Sequence, residues 1–247
     1  MRTKDVSVTV IGSGDAFNSG GRRQTCFHVN SSTITFLVDC GVNTLQGLKS
    51  NGLSASAIDL IFISHLHGDH FGGLPFFLLE AAVTKRTRPL SIVAPVGCKK
   101  KVEKLASLLY PGTEILSKLD LHFHEYSSDQ PFMVRGLEII ALPVIHKLET
   151  KPHGMKIKID DKIISYSGDT EWTPVLVDLA KDSDLFICEC NFYKKEIKGH
   201  LNYKTLSQHL TEFRCKRMLL THLGDDMQDH IDQLEVACAA DDLKISI

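Results

Sequence analysis

Short apolar runs that break on glycine, aspartate or histidine recur along the whole chain. Residues 6–11 alternate and stop at Gly12-Ser13-Gly14-Asp15, which predicts a first strand ending in a tight turn. The polar stretch 18–24 reads as a loop. Residues 25–29 and 33–38, divided by Asn30-Ser31-Ser32, read as a hairpin closed by Asp39-Cys40-Gly41. Leu45, Leu48 and Leu53 keep a weak helical spacing ahead of a strand over 60–64. Residues 74–83 are apolar and rich in helix formers, 90–94 form a strand, and 99–109 form an amphipathic helix with Val102, Leu105, Leu108 and Leu109 on one side. Strands over 121–126 and 132–142 follow, with a turn at Gly136. Residues 155–159 alternate and turn at Asp160-Asp161 into 163–167. Thr173-Pro174 starts a helix to 180, 185–189 is a buried-type strand, 203–213 a helix, 217–221 a strand and 230–239 a last helix. The order β-rich, βα, β-rich, βα predicts two sheets packed together with helices outside.

Composition narrows the class without choosing a chemistry. A chain of 247 residues with 43% hydrophobic and 23% charged residues is that of an ordinary globule, read here as one domain over 1–247. A formal charge of −2 gives no global electrostatic case for nucleic acid, although a local basic rim or bound metals would still hold RNA phosphate. The start, Met1-Arg2-Thr3-Lys4-Asp5, leads into no apolar leader, and no run reaches membrane-spanning length. Seven cysteines, most of them in apolar runs (Cys26, Cys188, Cys215, Cys238), point to buried thiols in a reducing cytoplasm rather than to disulfides.

The chemistry concentrates in Ser64-His65-Leu66-His67-Gly68-Asp69-His70, which follows the apolar run 61–63. His65 and His67, two apart, point the same way in an extended or loop backbone and share one metal, while Asp69 and His70 address a second position. Two first-row divalent ions need about four ligands each, so more must come from elsewhere. Three further strands each deliver one polar residue at their mouths: His146, Asp169 and His222. His28, His122, His124, His153, His209 and His230 read as structural. His122 and His124 are placed on a sheet surface without a local acid, Cys188-Glu189-Cys190 is a poor zinc site, and Asp225-Asp226 reads as a solvated loop.

His65-Leu66-His67-Gly68-Asp69-His70 resembles the HxHxDH signature of the metallo-β-lactamase fold superfamily. The likeness spans nearly the whole chain, through Gly12-Ser13-Gly14, Leu37 to Gly41, His146, Ser167-Gly168-Asp169-Thr170 and Leu220-Thr221-His222. It is nearest to the tRNase Z-like and phosphodiesterase branch. The resemblance implies an α/β fold, an αββα four-layer sandwich of two β/α halves with approximate two-fold symmetry. It assigns His65, His67 and His146 to one metal, Asp69, His70 and His222 to the other, and Asp169 to both. Zinc is the expected metal and manganese the alternative. An aspartate at 169 where class B1 β-lactamases carry cysteine disfavours a β-lactam substrate, and His67 argues against an iron redox site.

Glu189-Cys190-Asn191-Phe192 and Gly199-His200-Leu201-Asn202 are similar to two further segments of that branch. They imply that His200, which holds no metal, works at the scissile phosphate, steered by Glu189, with Asp69 also accepting a hydrogen bond from the nucleophile. Asn202 stands where the branch has threonine, and no long basic insertion suggests a tRNA-binding arm; Lys147, Lys151, Lys194, Lys195 and Lys198 make at most a modest rim. The expected activity is a binuclear metal-dependent phosphodiesterase, working on a small or nucleotide-type phosphodiester through a metal-bridging hydroxide. A thioesterase or lactonase on the same centre, a tRNA 3′ processing endoribonuclease and a non-catalytic binding subunit are the rivals. By analogy with the family the protein is expected to be a homodimer with no membrane partner.

Overall fold

The computed structural model describes residues 6–126 and 130–247; the N-terminal segment 1–5, read above as carrying no leader, lies outside the described residues. In chain order the strands are β1 (Ser7–Gly12), β2 (Cys26–Asn30), β3 (Thr35–Val38), β4 (Leu60–Phe62), β5 (Leu90–Pro95) and β6 (Leu121–Tyr126). There follow β7 (Phe132–Val134), β8 (Leu137–Pro143), β9 (His153–Ile159), β10 (Lys162–Tyr166), β11 (Leu185–Glu189), β12 (Met218–Thr221) and β13 (Lys244–Ser246). They make one sheet of order β13-β1-β2-β3-β4-β5-β6 and another of order β12-β11-β10-β9-β8-β7. Each sheet repeats one plan, an antiparallel part (β13-β1-β2-β3; β7-β8-β9-β10) leading into a parallel part (β3-β4-β5-β6; β10-β11-β12).

Parallel strands need crossovers, and the helices of these crossovers cover the outer faces. Helices α1 (Thr44–Ser50), α2 (Gly68–Phe71), α3 (Leu74–Val83) and α4 (Cys98–Leu109) belong to the first half; α5 (Val175–Ala180), α6 (Tyr203–Ser207) and α7 (Asp225–Gln228) belong to the second. Pro75 sits in the first turn of α3, where its missing N–H costs nothing, and Leu74, Phe77, Leu78 and Ala81 form its buried stripe. The sheets face each other across Val8, Val10, Phe27, Phe62, Ile139, Met155, Ile157 and Ile187, with Phe27 meeting Tyr166 edge-to-face at 5.9 Å. Two outer cores, Leu37, Ile61, Phe77 and Val102 on one side and Leu179, Phe186, Leu206 and Leu220 on the other, complete the four layers. No helix among the described residues is long and apolar enough to cross a membrane.

Several expectations need correction. The strand expected over 60–64 ends at Phe62, because Ser64 N donates to the Asp39 carboxylate instead of to a neighbouring strand. In α4 the buried stripe is Cys98, Val102 and Ala106, spaced by four; Leu108 lies about a third of a turn round the helix from Val102 and is exposed. The helix expected over 203–213 stops at Ser207 and resumes only as a 3-10 turn, Leu210–Glu212. Between them, His209 leaves the helical path to stack on Trp172 at 3.7 Å. Residues 230–239 are not a helix beyond the turn Ile231–Gln233. Leu220 exchanges hydrogen bonds with Ala237 and Ala239, so the segment covers the open edge of β12. The closing strand β13 was missed: three residues show too little alternation to be read.

Candidate metal centre

The C-terminal ends of β4, β8, β10 and β12 open into one loop cluster. After β4 the chain leaves the sheet, with Ile63 O receiving the Tyr126 hydroxyl at 2.7 Å. His65 and His67 lie on the short loop that follows, and α2, a single turn, carries Asp69 and His70. His146 follows β8, Asp169 follows β10 and His222 follows β12. His222 holds a left-handed backbone, φ 57°, which a histidine adopts only when its surroundings impose it. Leu223 N on Ser13 O and Gly224 N on Asn191 O supply that constraint.

The seven expected donors converge in two groups, His65, His67, His146 and Asp169, and Asp69, His70, Asp169 and His222. Within each group the donor atoms lie within 4.8 Å of one another. In the first, His67 Nδ1 is 3.2 Å from His65 Nε2 and 3.0 Å from His146 Nε2. In the second, Asp69 Oδ2 lies 3.1 Å from His70 Nε2 and 3.3 Å from His222 Nε2. Asp169 joins them, with Oδ2 3.6 Å from His65 Nε2 and Oδ1 3.3 Å from His70 Nε2.

Outer contacts decide which ring nitrogen faces inward. Ser64 Oγ donates to Asp39 Oδ2 and therefore accepts from His65 Nδ1, leaving the Nε2 lone pair of His65 toward the cluster. His70 Nδ1 donates to Asp39 Oδ2 at 2.7 Å, with the same result for its Nε2. His146 Nδ1 donates to Gly199 O at 2.6 Å. Asn191 Nδ2 donates to His222 O and touches His222 Nδ1, both at 3.0 Å. Asp39 and Gly199 stand in segments that the sequence singles out, but not among the expected site residues. Asp39 carries the same signal as the donors, a polar residue at the mouth of an apolar strand; the Gly199 carbonyl leaves no trace in a sequence.

This donor chemistry fits divalent cations. His70 Nε2 and Asp169 Oδ1 are buried and make no hydrogen bond, which is costly unless something else completes them. Imidazole with carboxylate, three or four donors to a group, is the set first-row divalent ions prefer. Burial works against the ionised Asp169 carboxyl, yet the neighbouring imidazoles, His222 and His70 foremost, hold it well below the usual carboxylate range. Burial pushes the His65 imidazole well down; at His70 and His222 burial acts in the same sense, but the Asp169 and Asp69 carboxylates carry both up.

Beside these groups stands His200, its Nδ1 2.5 Å from Glu189 Oε1. Glu189 is fully buried at the end of β11, and its other oxygen accepts from Leu201 N at 2.7 Å. Burial alone would lower the His200 pKa, but the Glu189 carboxylate, by charge and hydrogen bond, carries it up to about 9. Asp69, Asp169, His200 and His222 share a cavity of about 350 Å³ with Phe17 and Phe192. His200 thus faces the same space as both donor groups.

The remaining histidines stay outside. His28 and His153 are buried, and burial lowers the His28 pKa to about 4. His122 and His124 are exposed on β6, and the absence of an acid beside them was misread, since Asp120 Oδ1 is 2.8 Å from His122 Nε2. Asp225 and Asp226 are not a solvated loop: they open α7, where Asp226 Oδ2 accepts from Tyr193 N at 3.0 Å and Asp225 Oδ1 from Gly20 N at 3.1 Å. All seven cysteines are free, and burial pushes the Cys40 and Cys98 thiols up to about 12. The five rim lysines are exposed.

Two mixed sheets with outer helices, and histidine-aspartate groups at one rim, define a metallo-β-lactamase fold hydrolase. The structure of YhfI from Bacillus subtilis, described as a metallo-β-lactamase fold protein, superposes with a TM-score of 0.81 at 23% identity, covering 99% of this chain and all of that one. Residues 6–239 match the family described as anti-Pycsar protein Apyc1, and the chain belongs to that family. It is 25% identical to the anti-Pycsar protein Apyc1 of Bacillus phage 010DV004, over 91% of each chain. It is 26% identical to a ribonuclease Z of Lachnospira eligens, over 92% of this chain and 91% of that one.

Proposed function

We propose that the chain is a binuclear metal-dependent phosphodiesterase acting on a small, nucleotide-type phosphodiester, cyclic nucleotides included. The observation that carries this reading is His200. An imidazole that belongs to neither the His65 nor the His70 group shares their cavity and is held by a buried carboxylate. Two divalent ions, zinc first and manganese as the alternative, would be held by His65, His67, His146, Asp69, His70, His222 and Asp169, supplying Lewis-acid charge and lowering the pKa of water.

The chain's own groups do the rest. Asp69 lines the cavity, and its carboxylate accepts a hydrogen bond from the attacking water, fixing its orientation. His200, as imidazolium, donates to a phosphoryl oxygen and passes its proton to the leaving alkoxide as the P–O bond breaks. Glu189 fixes the His200 ring and stabilises its charge. A thioester gains less from such a group, because its thiolate departs without needing a proton. A cavity of about 350 Å³ stands at the small end of ligand sites (roughly 300–1,000 Å³), favouring a mononucleotide over folded RNA. Similarity to ribonuclease Z favours the second reading, an RNA 3′ endonuclease.

His200→Ala in zinc- or manganese-loaded protein tests the proposal. Hydrolysis of a 3′,5′-cyclic nucleotide, whose leaving group is a poor alkoxide, should fall about 10²-fold. A p-nitrophenyl phosphodiester, which needs no proton on departure, should lose clearly less. Faster turnover of thioesters or lactones than of any phosphodiester, or no phosphodiester turnover at all by the loaded wild type, would sink it.

A further inference from the structure

The loop between β1 and β2 contains an aromatic ring that the hydrolytic chemistry does not use. Phe17 is 88% exposed, yet it lines the same cavity as Asp69, Asp169 and His200. Its backbone is held firmly. The buried Asp15 accepts hydrogen bonds at Oδ1 from Phe17 N and Ser19 N, both 3.0 Å, and at Oδ2 from Ser19 Oγ at 2.9 Å. Asn18, at φ 59°, donates its side-chain amide to Arg22 O at 2.9 Å and to Asn43 Oδ1 at 2.8 Å. A loop without strand or α-helix is thereby fixed at several points, and it presents a phenyl ring to water at the rim of the pocket.

The cavity is mixed in character. Its lining combines the charged donor groups and His200 with the apolar side chains Phe17, Phe192 and Ile197. A nucleotide has the same combination, a charged phosphate and a flat apolar ring joined by a sugar. The lining side chains Asp15 and Asn191 are already engaged, one by the loop and the other by His222. We infer that Phe17 is the stacking platform for the base of a nucleotide whose phosphate lies at the donor groups. This rests on the phosphodiesterase reading above and adds the residue that recognises the base. Phenylalanine offers a π-face and no hydrogen-bonding group, so it registers a flat ring rather than the pattern on its edge.

The test pairs hydrolysis with binding in Phe17→Ala and Phe17→Trp. The hydrolysis arm compares a 3′,5′-cyclic nucleotide with the same cyclic ribose phosphate carrying a methoxy group in place of the base. Phe17→Ala should lower the ratio of the two kcat/KM values about ten-fold, mainly through KM, and Phe17→Trp should restore it. The binding arm uses calorimetry of metal-loaded protein with a nucleoside 5′-monophosphate and with ribose 5-phosphate, and should show the same change in relative affinity. Parallel losses on the based and base-free ligands, or ratios that do not move, overturn the assignment of Phe17 and leave the phosphodiesterase reading standing. If wild type cleaves neither cyclic phosphate, that reading fails, and the binding ratio still decides for or against Phe17.

Discussion

At the scale of single residues, the centre depends on groups that would never touch a metal. Asp39 serves two of the histidines, through Ser64 Oγ to His65 and directly to His70. Gly199 serves a third, and its geometry admits no other residue. Its φ is +91°, and a Cβ there would lie 2.8 Å from His146 Nδ1. Its N–H also donates to Glu171 Oε1 at 2.7 Å, tying the His200 loop to the Asp169 loop. Gly199→Ala should therefore push the His146 ring aside and weaken metal binding about ten-fold or more. Competition with a chromophoric chelator would measure this without reference to activity. Affinity equal to wild type would show that His146 needs no support from this carbonyl.

At the scale of elements, the histidine-aspartate cluster and the polar residues at strand mouths were legible because each side chain that carries chemistry interrupts an apolar run. Asp39 could have been read by the same rule. What could not be read were elements set by distant contacts. Residues 230–239 favour a helix locally but extend along β12, and β13 exists because β1 offers an open edge. Arg86 belongs to the same category. It lies within the basic run Lys85-Arg86-Thr87-Arg88 after α3, which suggests surface, yet its guanidinium donates to Ile58 O at 2.6 Å, Arg88 O at 2.8 Å, Ser56 O at 2.9 Å and Pro89 O at 3.1 Å. It thus holds the entries to β4 and β5 together, while Arg88 takes the Asp59 carboxylate. Replacing Arg86 with Met should leave buried carbonyls without donors and cost about 2–3 kcal/mol. A urea titration would show it as a lower midpoint with the slope unchanged, and an unchanged midpoint would refute it.

At the scale of the whole molecule, the donors are shared between the halves: His65, His67, Asp69 and His70 come from the first, His146, Asp169 and His222 from the second. Ions held there would cross-link two sheets that also meet through apolar packing and loop contacts. Chelation of the loaded protein should lower Tm by about 5–15 °C, as expected for a ligand held at 100 to 1,000 times its Kd, and adding zinc or manganese back should restore it. A melting temperature indifferent to EDTA, in protein shown to contain metal before treatment, would mean that the sandwich does not rely on its rim.

The walls of the pocket and the floor that carries the donors come from different stretches of chain. Ala16, Phe17, Phe192 and Ile197 line the cavity without holding any donor in place, whereas Asp39, Ser64, Asn191 and Gly199 hold donors. Those four wall positions can therefore be randomised as a cassette. Libraries built on them would sample ligand preference over a constant inorganic floor.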